Sequence, residues 1–314
     1  MFGGNETLVA VFYFEGLTDN RRLEIALFVI FLVVYTFTVL GNGGLIFLIV
    51  NEPVLHTPMY FFLKHLSFVD ICYSSVIIPR TMSDFLSAEK AISFVACAFQ
   101  MYFFAAFANV ECLLLAIMAY DRYAAICKPL LYYIIMRREV CISLTAMCYA
   151  CGFFSSMIHA GNTFTQIYCK SNRISHYLCE PPPVLKLSCS DTSHTELVIF
   201  AIVGINSSAS VTLVVISYMC IFFNILDIKS AQGRRKAFGT CSSHLFSIGI
   251  LFGTLLYMYM RPNSSYLRYQ DKVVSVFYTV IIPMLNPIIY SMRNKDVLLA
   301  FLKVGKLTCR KNYS

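Results

Sequence analysis

Two carboxylates, Asp70 and Glu111, stand near the middle of long apolar stretches, and Asn42 and Asn286 occupy comparable mid-stretch positions. Two acids sharing a low-dielectric interior either hold a proton between them or attract a cation. Two readings of the set Asn42, Asp70, Glu111 and Asn286 are therefore open. One is a sodium or proton site that biases an inactive state. The other is a structural hydrogen-bond network with a protonated Glu111. A second place for chemistry is Asp121 beside Arg122, at the end of the apolar stretch that carries Glu111. A paired acid and base at a hydrocarbon boundary are tolerable; separated, Arg122 must find another partner, which makes a two-state element. Taken alone, the pair reads better as an interfacial anchor. His244 has no HExxH context and no second histidine at ligand spacing, so hydrolytic metal chemistry is not indicated, and a packing or switch role fits better.

The elements that position these groups are spanning helices. The chain has 314 residues, of which 58% are hydrophobic and only 13% charged, against about 25% charged in an average soluble domain. A helix needs about 20 apolar residues to cross a bilayer. The run Ile25 to Val50 supplies these without a charge, and further stretches lie at roughly 59–79, 93–119, 140–160, 197–226, 237–260 and 273–292. An all-α membrane protein with a seven-transmembrane helix bundle is expected. Residues 294–307 alternate lysines with apolar residues, as suits a short amphipathic eighth helix on the inner leaflet. The expected organisation is a single domain over 1–314: an outer N-terminus (1–22), the bundle (23–292) and an inner tail (293–314). The opening residues lack a basic n-region, so the first span is expected to act as an uncleaved insertion signal.

Basic residues orient the bundle. With the N-terminus outside, the inner segments 51–58, 121–139, 229–236 and 293–314 carry 14 Lys and Arg and the longer outer segments carry 10. Ten of the 17 acids fall on the outer side and five on the inner. The net charge of +8 is thus an inner surface facing anionic lipid, not a nucleic-acid patch. Of 13 cysteines, Cys97, Cys169, Cys179 and Cys189 lie on the oxidising side, where four thiols allow three connectivities. The sequon at Asn5 lies on the same side. A transporter or channel would show inverted repeats, interrupted helices or charged pore rings, and none is seen.

Ordered motifs run along the chain: LGN at 40–42, LHTPMYFFL at 55–63, LSFVD at 66–70, MAYDRYAAICKPL at 118–130, HYLCEPPPVLKLSCSDT at 176–192, SY at 217–218, KAFGTCSSHL at 236–245 and PMLNPIIYSMRNKDV at 283–297. In this order and spacing the chain resembles the odorant (olfactory) receptors of the rhodopsin-like G-protein-coupled receptor family. His56-Thr57 points to the tetrapod class II type. The sequence departs from the family pattern at Gly239, where Ser is usual, at Phe252, where Tyr is common, and in the third proline of Pro181-Pro182-Pro183.

The resemblance implies a receptor, not an enzyme, that takes a small volatile odorant from the outer side and activates a stimulatory, olfactory-type G protein to raise cAMP. The implied pocket comprises Phe104, Ala105, Ala108 and Asn109 from the third span and Ile202, Asn206 and Ser207 from the fifth. Phe252, Leu255, Leu256 and Tyr259 come from the sixth and Thr279 from the seventh. Apolar walls with a few amides and hydroxyls suit a ligand with one polar end. The implied coupling and switch residues are Asp121, Arg122, Tyr123, Tyr218, Arg234, Arg235, Lys236, His244, Asn286, Pro287 and Tyr290. Pro287 frees a backbone carbonyl and so offers a hinge. Cys97–Cys179 is the implied main disulfide, with Cys169–Cys189 the second. No cofactor is expected beyond a bound sodium ion. The implied partners are odorant, G protein, membrane lipids and trafficking chaperones, and the implied location is the plasma membrane of olfactory cilia.

Overall fold

The computed structural model describes residues 10–227, 229–259, 269–292 and 296–303. Asn5 lies outside the described residues, as do the side chains of Arg235, Lys236, Leu255, Leu256, Tyr259 and Tyr290. Helices dominate: α1 (Arg21–Asn51), α2 (Pro58–Leu86), α3 (Phe94–Cys127), a short α4 (Tyr132–Ile135), α5 (Arg138–Phe164), a short α6 (Pro181–Leu185), α7 (Ser193–Leu226), α8 (Ala231–Tyr259), α9 (Tyr269–Val276) and α10 (Ile282–Met292). A π-helical segment, Phe277–Ile281, joins α9 to α10, so that residues 269–292 run on as one rod. Six of these rods are long and apolar enough to cross a membrane; within α8 the described apolar stretch is the shorter His244–Thr254.

The ends of the rods follow local rules. Asn20 caps α1 by accepting from the Arg22 N–H at 3.0 Å, and Ser93 caps α3 by accepting from the Ala96 N–H at 3.2 Å. α2 opens on Pro58 and α6 on Pro181, the position where a missing N–H costs nothing. The three prolines of the outer loop thus start a helix. Every rod outruns the apolar stretch that defines it in sequence. The loop between α2 and α3 shrinks to residues 87–93, and Asp121 and Arg122 lie within α3.

α3 sits at the centre, packed against α2, α5, α7 and α8, while α1 packs on α2 and α10. Two glycines permit the closest approaches. A Cβ at Gly152 of α5 would lie 2.6 Å from Val110 Cγ2 and 3.0 Å from the Ala106 carbonyl of α3, and one at Gly41 of α1 would lie 3.3 Å from the Pro287 ring. The interior is apolar, with Leu66, Val69, Ile77, Val110, Leu114 and Leu115 fully buried. The outside is apolar too: Val33, Leu40, Phe200 and Ile205 are 62–70% exposed. Leaving such side chains in water forgoes about 1.5–3 kcal/mol apiece, so these surfaces belong in lipid.

The expectation of an all-helical chain needs one addition. A three-stranded sheet caps one end of the bundle, in the order β2-β1-β3, from β1 (Val11–Phe14), β2 (Ala91–Ser93) and β3 (Arg173–Ile174). β1 pairs antiparallel with β2 (Phe12 opposite Ile92) and parallel with β3 (Phe14 opposite Ile174). Side chains alternate along β1, with Phe12 and Phe14 turned inward. Together with Met101, Tyr168, Val184 and Leu187 they build a second core, separate from that of the bundle.

Candidate functional site

Four layers of polar side chains cross the bundle. The first is the cap. Cys97 at the start of α3 is joined to Cys179, and Cys169 to Cys189, with Cα separations of 5.6 and 5.7 Å. The pairing that the motifs implied is therefore the one present. Between these bonds the segment His176-Tyr177 drops into the helix ends. Tyr177 Oη lies 2.9 Å from Thr279 Oγ1 and accepts from Ser275 Oγ at 3.0 Å, and His176 Nε2 lies 3.4 Å from the same serine. Next to it, Tyr278 donates to the Glu180 carboxylate at 2.7 Å, and both side chains are buried. Burial pushes the Glu180 carboxyl up to about 7, partly countered by the Tyr278 hydrogen bond. It pushes the His176 imidazole down to about 3, with the Lys272 charge acting in the same sense. At the rim Lys272 binds Glu15 Oε2 at 3.3 Å and the Gly16 carbonyl at 3.0 Å, tying the seventh rod to the N-terminal strand.

Below the cap lies the second layer, where the expected pocket residues fall. Asn206 of α7 donates to Asn109 Oδ1 of α3 at 3.3 Å and to Ser155 Oγ of α5 at 3.0 Å. Asn109 and Asn206 are thus brought together, with Ser155 added. Phe104 is buried and stacks on Tyr73 of α2 at 5.5 Å. Phe252 is buried in the main core. Ala105 and Ala108 are half-buried on α3, as are Ile202 and Ser207 on α7; Ser207 makes no side-chain hydrogen bond among the described residues. Thr279 is fully buried and its hydroxyl faces the cap. Tyr73, Ser155 and Tyr177 escaped the reading of the sequence. Tyr177 stands in the quoted outer-loop motif, but nothing local says that it reaches the seventh rod.

The third layer is the acidic one. Asn286 Nδ2 donates to both oxygens of Asp70, at 3.2 and 3.1 Å, and lies 3.5 Å from Glu111 Oε1. One amide thus collects both acids, each at most 1% exposed. Asn42 does not join it: its amide donates to the Pro283 and Thr38 carbonyls, at 3.0 Å each, and so clamps α1 to α10. Its place in the expected cluster is corrected accordingly. Because Pro287 has no N–H and Gly41 lets it approach α1, the α1–α10 seam is held at the Asn42 amide instead. Ser74 Oγ and Asn286 Oδ1 are buried without a hydrogen-bond partner, as is Asn42 Oδ1 on the α1 side. Two carboxylates with orphaned amide and hydroxyl oxygens form a donor set that suits a small hard cation such as sodium.

The fourth layer lies at the other end, near the tips of α3, α7 and α8. The expected contact between Asp121 and Arg122 does not form. Asp121 accepts instead from Tyr132 Oη of α4 at 2.8 Å, while Arg122 Nε is buried without a partner. Successive residues on a helix diverge by about 100° (3.6 residues per turn), so neighbours in sequence face different elements. Tyr218 of α7 meets His244 Nδ1 of α8 at 2.6 Å. Tyr123 packs with Tyr218 against Ile221, Ile225 and Cys241. Arg234 is exposed at the start of α8. Among the described residues no cluster of three His, Cys, Asp or Glu side chains suits a transition metal.

Long lipid-facing rods, a disulfide-tied cap and a polar axis through the middle define a multi-pass helical membrane protein. Comparison with known proteins narrows this. The profile of the family described as Olfactory receptor matches residues 31–307. Human Olfactory receptor 5B12 is 51% identical over 303 residues, covering 96% of each chain. Olfactory receptor 5AP2 of Mus musculus is 52% identical over 300 residues, covering 96% of this chain and 95% of its own. Human Olfactory receptor 8U8 is 53% identical over 300 residues, covering 96% and 94%. The chain belongs to the olfactory receptor family. It is an odorant-sensing G-protein-coupled receptor and not an enzyme.

Proposed function

We propose that this chain is a seven-span receptor with its N-terminus outside the cell. In this reading it binds small volatile molecules beneath the cap and activates a stimulatory, olfactory-type G protein that raises cAMP. α8 serves as the sixth span and residues 269–292 as the seventh. The helical stretch 296–303, which buries Val297 and Ala300 and ties Lys303 to Glu52 at 2.8 Å, serves as the eighth helix on the inner leaflet. The whole chain is one receptor domain, placed in the plasma membrane of sensory cilia with the help of trafficking chaperones.

The observation that carries the reading is the amide–hydroxyl patch of Asn109, Ser155 and Asn206, the polar spot on an otherwise apolar layer of Phe104, Ala105, Ala108, Ile202 and Phe252. It suits a ligand with one polar end and an apolar body. Leu255, Leu256 and Tyr259 complete the wall in this proposal, with Ser207 and Thr279 at its edges. A ligand wedged there pushes on α8, which the Tyr218–His244 contact ties to α7 near its middle. Releasing that contact lets the tip of α8 swing outward and opens a crevice among Arg122, Tyr123, Tyr218 and His244 for the G protein. Arg234, Arg235 and Lys236 line its mouth, and Pro287 and Tyr290 give the seventh span its hinge. Asp70, Glu111 and Asn286 would hold a sodium ion, with Ser74, one turn on from Asp70 in α2, as a further donor. When bound, the ion supplies positive charge between the two acids. Without it the Asn286 amide holds the acids, and the inactive packing relies on that amide alone.

The test is cAMP accumulation in transfected cells exposed to an odorant panel, with surface expression measured in parallel. Asn109→Ala and Tyr259→Ala should shift odorant potency while leaving surface levels intact. Unchanged dose-response curves for both variants would remove the pocket, and odorant-driven ion flux without cAMP would overturn the receptor mechanism. Sodium dependence of potency that persists in Glu111→Gln would reject the ion site.

A further inference from the structure

Lys64 is the one cation within the apolar part of α2, two turns inside the helix start at Pro58. An ammonium at that depth is expensive without a partner. Among the described residues no carboxylate pairs with it; its charge lies over the Phe61 ring, 5.4 Å from the centroid. Lys64 faces a cavity of about 740 Å³ that opens between the ends of α1, α2 and α5, on the face remote from the cap. Arg137, Arg138 and His56 also line this cavity, and its single acid is Glu139. Glu139 lies 3.9 Å from Arg137, with both side chains more than half exposed, and such a pair offsets little charge. Arg138 has no partner among the described residues. The remaining walls are apolar, from Ile49, Leu55, Phe61 and Met136.

Two further features bear on the occupant. α2 and α5 both begin at the rim, on Pro58 and Arg138, and neither start has a side-chain cap. Their free N–H groups and helix dipoles add positive potential on the same side. The neighbouring loop segment turns Leu130, Leu131, Tyr133 and Ile134 outward, at 96, 51, 74 and 68% exposed. An apolar surface of that kind on a connecting segment rests on a bilayer.

We propose that this cavity is a binding site for an anionic phospholipid of the inner leaflet. Its phosphate headgroup is held by Lys64, Arg137 and Arg138 at the rim, and an acyl chain lies along Phe61 and Met136. The inference rests on the topology proposed above, which puts this end of the bundle in the cytoplasm. It is tested without odorant or G protein, so it stands or falls apart from the signalling mechanism.

The full-length receptor is purified into nanodiscs of phosphatidylcholine alone or with added phosphatidylinositol bisphosphate. Bound lipid is counted by native mass spectrometry and thermal stability is followed in parallel. Wild type should retain the anionic lipid and melt higher in its presence. Lys64→Met with Arg138→Gln should weaken retention about tenfold or more, given the strength with which a single base near the surface holds an anionic lipid. Arg138→Gln alone, at an exposed position, should weaken it about fivefold. Lys170→Ala, exposed in the outer loop at the cap end, should leave retention unchanged. Equal retention in wild type and both variants, or no stability change on adding the lipid, would overturn the proposal. Soluble inositol trisphosphate binding as tightly as the intact lipid would also overturn it, since the occupant would then be a free phosphate ester.

Discussion

The two ends of this bundle are held by different kinds of bond. The cap has two disulfides, a sheet, its own apolar core and buried hydrogen bonds from Tyr177 and Tyr278 into neighbouring segments. The opposite end has no covalent link among the described residues. Its tertiary polar contacts are single side-chain bonds: Tyr132 to Asp121, Tyr218 to His244, Tyr60 to Asp296 and Lys303 to Glu52 among them. Buried groups there also lack partners, Arg122 Nε and Asp121 Oδ2 among them. A buried polar atom without a hydrogen bond costs about 1–3 kcal/mol, which lowers the free energy needed to reach any arrangement that satisfies it. The contrast suits a molecule that keeps its ligand side fixed and lets its signalling side rearrange.

The comparison breaks most directly at the cap. Cys179→Ser removes the bond between the outer loop and α3, and losing a native disulfide costs about 2–5 kcal/mol. Surface labelling and thermal melts should show a receptor that is retained in the cell or melts far lower. A variant as stable as wild type would mean that the sheet and second core suffice.

Next in size is Glu180→Gln. Burial raises the Glu180 carboxyl from the ordinary range to about 7 in the folded cap, mainly through lost solvation. The folded form therefore binds a proton that the open form releases. Stability contributed by Glu180 is complete below about pH 4.5 and falls as pH rises to about 7. His176, lowered to about 3 mainly by burial, works in the opposite sense: its cost to the folded cap fades as pH rises from about 3 to 6.5. Glu180→Gln should raise the melting temperature above pH 7, by about 1–3 kcal/mol in stability, and change little below pH 4.5. Melts across pH 4 to 8 decide it, and parallel curves for the two proteins would reject the assignment.

Tyr218→Phe sharpens the contrast from the other side. It deletes one hydrogen bond to His244, worth about 0.5–1.5 kcal/mol net, which corresponds to roughly a tenfold or smaller rise in the active fraction. Ligand-free cAMP should rise while cap-dependent stability stays put; unchanged basal signalling would place the latch elsewhere. Smallest is Gly239→Ser. A Cβ there meets nothing within 4 Å, and Ser is a better helix former than Gly by about 0.5 kcal/mol, so a slightly stiffer α8 and slightly lower basal activity are expected.

Much of the helical frame is legible from residue order alone, because a bilayer demands apolar length and every backbone group must be satisfied inside the rod. The disulfide pairing was legible through the outer-loop motif, and the inward facing of Asp70 and Glu111 through the cost of placing either in lipid, whereas their approach to each other was not. Three features were not. β1 is four residues long, and its VFYF reads as an undirected apolar run until its partners are known, about 80 and 160 residues away. Asn42 looked like a member of the acidic cluster because depth along a helix is readable and rotation about its axis is not, and it turned to the Pro283 carbonyl. Asp121 and Arg122 looked paired because they are adjacent, whereas the helix turns them toward different elements. Tyr177 and Ser155 belong to the same class of omission: their roles come from elements folded against them.

The position of β1 also bears on how the protein is made. It is the middle strand, so both its edges stay unsatisfied until residues 91–93 and then 173–174 have emerged. At a synthesis rate of about 5–20 residues per second the amino-terminal segment waits roughly ten to thirty seconds for its second partner. Through that interval an apolar strand has open hydrogen-bonding edges, and with the N-terminus outside, as proposed, a chaperone or a neighbouring nascent chain in the lumen can take the place meant for Arg173 and Ile174.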